Sequence, residues 1–158
     1  MSDLATFAAG CFWGVEASFQ RTPGVLATRV GYIGGHTSTP TYKEICTDRT
    51  GHAEAVEVSF DPQMVSYDQL LAIFFDNHDA TQVNRQGPDI GSQYRSAIFY
   101  HSPEQKAAAE AAKTVLQKSD RFKRPIATNI VPATAFWEAE AYHQKYLEKR
   151  GLAVCHTN

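Results

Sequence analysis

A chain of 158 residues, 43% of them hydrophobic and 20% charged, has the length of one ordinary domain and can bury a core without disulfide staples. A formal charge of −2 with both signs interspersed excludes the electrostatic footprint of a nucleic-acid or anionic-membrane binder. No apolar run reaches membrane-spanning length, and no basic stretch leads into a signal-like segment, so a single cytoplasmic domain over 1–158 is expected.

Leu4 to Ala9 reads as a strand, after which Phe12, Val15 and Phe19 recur at helical spacing. Between them stands Gly10-Cys11-Phe12-Trp13-Gly14, which puts Cys11 where a strand turns into a helix. The unpaired N–H groups and positive dipole end of a helix's first turn favour thiolate over thiol. A lone cysteine near a helix start is commonly inert packing. The flanking glycines favour the nucleophile, because they allow a tight turn and the close approach of another molecule.

Thr22-Pro23-Gly24 stops that helix, and Val25 to Tyr32 reads as a second strand. From Gly34 to Gly51 the chain is polar and aperiodic, with one turn of helix expected over Tyr42 to Cys46, and long loops of this kind tend to carry function. Ala53 to Phe60 alternates, placing Glu54 on one face with Val56, Val58 and Phe60. A carboxylate there is either at the rim of the core, paired with an arginine, or desolvated. In the second case its pKa rises and it becomes a candidate general acid.

Ser66 and Gln69 form a capping box for a helix whose buried stripe is Tyr67, Leu70, Leu71 and Phe74. His78 to Ser92 is a second irregular stretch, and Tyr94 to Tyr100 reads as a strand. Ser102, Pro103 and Gln105 open a further helix as cap, first residue and closing box residue, and its alanines with Val115 and Leu116 suggest close packing on a sheet. Ile126 to Val131, and Ala135 to Trp137, add strand material before an amphipathic segment through Tyr142, Tyr146 and Leu147. From Gly151 onward, residues 151–158 read as a short tail. The order strand-helix-strand-strand-helix-strand, with additions, implies an α+β two-layer sandwich with helices packed on a largely antiparallel sheet.

The cysteines are Cys11, Cys46 and Cys155. An odd, scattered set forms no disulfide framework and leaves at least one thiol free. No Cys-x-x-Cys occurs, and His52 and His156 complete no four-ligand spacing, so no metal is expected. Cys46, beside Ile45, reads as a packed structural thiol, with a part in a thiol relay as the open alternative. Tyr32, Tyr67, Tyr100, Tyr142, Tyr146 and Trp137 read as packing, and His52 as a structural hydrogen-bonder.

Five segments together resemble peptide methionine sulfoxide reductase of the A type. They are Gly10-Cys11-Phe12-Trp13-Gly14-Val15-Glu16, Gly31-Tyr32-Ile33-Gly34-Gly35, Tyr42-Lys43-Glu44, Thr50-Gly51-His52-Ala53-Glu54, and the run from Gln86-Gly87-Pro88-Asp89 to Tyr94-Arg95-Ser96. The resemblance implies a ferredoxin-like topology and a thiol-dependent reaction on the S-epimer of methionine sulfoxide, free or in oxidised proteins. It makes Cys11 the nucleophile, Glu54 with Tyr42 and Tyr94 the groups that protonate or bond the sulfoxide oxygen, Phe12 and Trp13 the wall for the substrate methyl, and Asp89 a holder of the pocket's polar side. It also makes Cys155 the resolving thiol in a mobile tail. No cofactor is implied, thioredoxin or dithiothreitol serves as reductant, and the chain acts as a monomer. The sequence departs from the pattern at Ala80, where the family commonly has proline, which removes a constraint on that loop.

Two other readings rest on the same residues. In one, Cys11 is an acyl-transfer nucleophile with His52 or His78 as base, a hydrolase that needs no reductant. In the other, the sandwich is a small-ligand binding module whose cysteines are incidental.

Overall fold

The computed structural model describes residues 2–10, 12–47, 49–119 and 121–140. A six-stranded sheet runs in the order β7-β6-β1-β3-β2-β8, built from β1 (Asp3–Ala9), β2 (Val25–Ile33), β3 (Ala53–Phe60), β6 (Ser96–Tyr100), β7 (Asn129–Pro132) and β8 (Trp137–Glu138). Its pairs are antiparallel except β6 with β7, which is parallel. The helices are α1 (Phe12–Gln20), α2 (Tyr42–Ile45), α3 (Tyr67–Asp76) and α4 (Pro103–Lys118). A small hairpin of β4 (Arg85–Gln86) and β5 (Asp89–Ile90) stands apart from the main sheet. The α+β class and the mostly antiparallel sheet agree with the sequence reading.

Strand alternation sorts the core. Ala5, Phe7 and Ala9 of β1 share one buried cluster with Val30 and Tyr32 of β2, Val56, Val58 and Phe60 of β3, and Phe12, Val15, Phe19, Leu70, Leu71 and Phe74 of the helices. Phe7 stacks on Phe19 at 5.1 Å and on Phe74 at 5.3 Å between ring centroids, so α1 and α3 meet over the middle of β1. The opposite face holds a smaller cluster of Ala8, Ile33, Ala53, Ala55, Ala97 and Phe99, with Ala133 and Phe136 packed against it. The Ser66 capping box forms as expected: its side chain accepts from the Gln69 N–H and the Gln69 side chain returns to the Ser66 backbone.

Four local expectations are corrected. Tyr94 lies in a 3₁₀ turn, Ser92–Tyr94, because its N–H donates to the Gly91 carbonyl and not to a strand neighbour. The strand expected from Ile126 is only Asn129–Pro132, since the Ile126 N–H donates to Gln117 Oε1 and the Ala127 N–H to the Ala80 carbonyl. Gln105 does not close a box onto Ser102. Its Oε1 accepts from the His101 N–H, and its amide nitrogen donates to the Leu4 carbonyl, fastening α4 to β1. Val115 is 67% exposed, and the packed stripe of α4 is instead Ala108, Ala109, Ala112 and Leu116. The amphipathic segment through Tyr142 and Tyr146 lies outside the described residues.

Gly31 of β2 pairs with Glu138 of β8. A Cβ there would collide with the Trp137 carbonyl and would meet the Phe136 ring at 2.6 Å, so only glycine lets β8 pair with β2 in this register. Gly31→Ala is expected to lower stability by about 1–3 kcal/mol, read as a lower urea midpoint with an unchanged denaturant slope.

Candidate active site

Glu54 is 1% exposed on the helix-facing side of β3, opposite Tyr32 in the β2–β3 register. Its surroundings are apolar: Tyr32 is 0% exposed, and the Phe12 ring lies 5.8 Å from it. The carboxylate takes a hydrogen bond at Oε1 from the Phe12 N–H, 3.3 Å away. Phe12 is the first residue of α1, so that N–H is one of the groups a helix leaves without an internal partner. Cys11 precedes it in the chain and itself lies outside the described residues, as does Cys155. On the other side of Cys11, Gly10 has φ +94°, a left-handed conformation that glycine adopts without strain and that turns the chain sharply from β1 into α1.

Tyr42 opens the single turn of α2. Thr41 caps it, accepting from the Glu44 N–H while the Glu44 side chain accepts from the Thr41 N–H. The Tyr42 phenol is held well above the usual tyrosine range, first by burial, then by the charge of Glu54, and after it by Tyr94 and Cys46. Tyr42 therefore stays protonated, a hydrogen-bond donor, throughout the neutral and mildly alkaline range. The same interactions place Glu54, Tyr42 and Tyr94 in one electrostatic neighbourhood, although the three come from β3, α2 and the turn before β6. Cys46, expected to be packed, is instead an exposed free thiol, because the C-cap position of a one-turn helix leaves it on the outer surface.

Trp13 is half-buried at the edge of the core, whereas Phe12 is 1% exposed within it. Asp89 is half-buried on β5, paired with Gln86. The loop that carries it needs no proline at position 80. Gln86 clamps it, accepting from the Asp79 N–H at 2.8 Å and donating to the Asp79 carbonyl at 2.9 Å.

The sequence did not single out Glu140, the carboxylate that ties these parts together. It accepts from the Tyr32 hydroxyl at 3.0 Å and from the Tyr42 N–H at 2.9 Å. These partners are 108 and 98 residues away along the chain, and no periodicity or short motif reports such a contact.

The two histidines that an acyl-transfer reading would use as base are both committed elsewhere. His52 Nδ1 accepts from the Gly35 N–H at 3.0 Å, which leaves its Nε2–H to donate to the Thr37 carbonyl at 2.8 Å. His78 bonds the Phe74 carbonyl through Nδ1 and the Ser96 hydroxyl through Nε2, and Ser96 continues to Thr128. Among the described residues no group of three or more His, Cys, Asp or Glu is arranged to hold a metal ion. No helix among them is long and apolar enough to cross a membrane.

Comparison with known proteins concerns the chain as a whole. The profile of the family described as Peptide methionine sulfoxide reductase matches residues 3–158. The chain is 62% identical over 153 residues to the Geobacter sulfurreducens "Peptide methionine sulfoxide reductase MsrA", covering 97% of this chain and 94% of that protein. Among solved structures it resembles Mxr1 of Saccharomyces cerevisiae in reduced form, with TM-score 0.86 and 37% identity over 95% of this chain and 86% of that one. The same yeast protein in complex with Trx2 aligns with TM-score 0.62 and 27% identity, covering 92% and 84%. With a profile match over nearly the whole chain and majority identity to such a relative, the chain belongs to the peptide methionine sulfoxide reductase family.

Proposed function

We propose that this chain reduces the S-epimer of methionine sulfoxide, free or within oxidised proteins, through Cys11. The observation that carries the reading is the hydrogen bond from the N–H of the residue after Cys11 to the buried Glu54 carboxylate, beside Tyr42 and Tyr94. It supports the reading because it gathers an acid and two phenols about the start of α1, the residue types that oxygen transfer from sulfur to sulfur calls on. The Cys11 thiolate attacks the sulfoxide sulfur while Glu54 supplies a proton to the sulfoxide oxygen and Tyr42 and Tyr94 hydrogen-bond it. The oxygen ends on Cys11 as a sulfenic acid, and methionine leaves with its sulfur reduced. Trp13 forms the wall against the substrate methyl with Phe12 backing it from the core, and Asp89 holds the polar side.

Cys155 then condenses with the sulfenic acid, forming a disulfide and releasing water. A dithiol restores both thiols by exchange. Thioredoxin is the proposed donor, supported by the structural relative solved with Trx2, and dithiothreitol replaces it in vitro. No further cofactor enters the cycle. Residues 1–158 act as one monomeric cytoplasmic domain, and the tail of 151–158 lies outside the described residues. The central order β6-β1-β3-β2, all antiparallel, supports a ferredoxin-like topology. Cys155→Ser tests the division of labour: reduced protein should release about one methionine per chain and then stall with thioredoxin as donor. Unimpaired steady-state cycling of that variant would remove Cys155 as the resolver.

A further inference from the structure

We propose that Glu140 is a positioning residue for sulfoxide reduction: its carboxylate, bonded at once to the Tyr32 hydroxyl and the Tyr42 backbone N–H, fixes where the Tyr42 phenol stands relative to Glu54. This rests on the reading of Tyr42 as a donor to the sulfoxide oxygen.

α2 is four residues long, too short to hold its form or its place unaided. Its capping box lies between Thr41 and Glu44 and is exposed, so it shapes the turn without attaching it to the sheet. Ile45 buries one side of the turn in the core. A polar attachment comes from Glu140, which takes the N–H of the first helical residue at 2.9 Å, a donor the helix itself leaves unused. The other carboxylate oxygen takes the Tyr32 hydroxyl at 3.0 Å. Hydrogen bonds to an ionised acceptor are about twice as strong as neutral ones, so the bridge is stiff at both ends.

Both ends matter for the chemistry. Tyr32 is the cross-strand partner of Glu54, so the acid and the carrier of the phenol are referenced to one buried side chain. Glu140 in turn follows a fixed strap, because Ala139 donates to the Val30 carbonyl at 2.9 Å and Glu138 pairs with Gly31 in β8. Acid, phenol and sheet are thereby held in one frame. Small misplacements of a reacting group cost large factors in rate.

The test measures the single-turnover rate of sulfoxide reduction in wild type, Glu140→Gln, Tyr42→Phe and the double variant. Glutamine keeps the size but offers an NH₂ where one of two donors must be accepted. Glu140→Gln is expected to slow reduction about tenfold and to leave iodoacetamide alkylation of Cys11, followed by mass spectrometry of its peptide, within about twofold of wild type. In the Tyr42→Phe background the same substitution should cost no more than about twofold, because the hydroxyl it positions is gone. Should Glu140→Gln not fold, Tyr32→Phe removes one of the two bonds and is expected to show the same non-additivity, weaker in size. A wild-type rate in Glu140→Gln, a full tenfold loss persisting in Tyr42→Phe, or a parallel loss of Cys11 alkylation would overturn the inference. Tyr42→Phe at the wild-type rate would instead remove Tyr42 as donor, and with it the underlying reading.

Discussion

Cys11→Ser is expected to abolish methionine formation even in a single turnover, a loss on the order of 10⁴-fold or more. The reaction transfers oxygen to the attacking atom, and a hydroxyl has no sulfur to receive it as a sulfenic acid. Serine also lacks the ionised, polarisable nucleophile that a helix start favours. The fold should tolerate the change, since serine is nearly isosteric and suits the beginning of a helix. Rapid-quench measurement of methionine, together with a sulfenic-acid trap on the Cys11 peptide, checks it. Residual turnover in the serine variant would mean that another residue is the oxygen acceptor.

Glu54→Gln carries the second large effect, about 10²- to 10³-fold in single-turnover rate. The substitution isolates the proton. Glutamine keeps the volume in a site that is 1% exposed and keeps an oxygen to accept from the Phe12 N–H, now at 3.3 Å from the carboxylate. What it cannot do is give a proton to the sulfoxide oxygen. Burial, the first cause of the raised Tyr42 phenol, persists without the Glu54 charge, so Tyr42 remains a hydrogen-bond donor and not a replacement acid. The substrate KM should move far less than the rate, since the lost interaction strengthens only as charge develops on oxygen. A rate equal to wild type would remove Glu54 as the acid.

How much of this could be read beforehand depends on the range of the signal. The period-2 alternation of Ala53 to Phe60 put Glu54 on the apolar face, and β3 spans those residues with Glu54 buried. The Ser66–Gln69 box is a three-residue signal and formed as read. Tyr94 falls in a turn and not in β6 because an aromatic just ahead of a strand fits either state, and the bond of its N–H to the Gly91 carbonyl decides between them. Val115 was misassigned in α4 because a helix rich in alanine offers more than one face small enough to pack. Cysteine's burial habit predicts a packed Cys46, whereas its position at the end of a one-turn helix faces solvent. Glu140 stayed hidden for a different reason: its meaning lies wholly in partners about a hundred residues away.

The most direct measurement mixes fully reduced protein, without added reductant, with the separate S and R epimers of a methionine sulfoxide peptide and counts methionine released per chain. Reduction through Cys11 predicts about one methionine from the S-epimer in the first turnover, none from the R-epimer, and the oxygen on Cys11 whenever Cys155 is replaced by serine. Failure of the reduced protein to release methionine from the S-epimer, or equal release from both epimers, would contradict it.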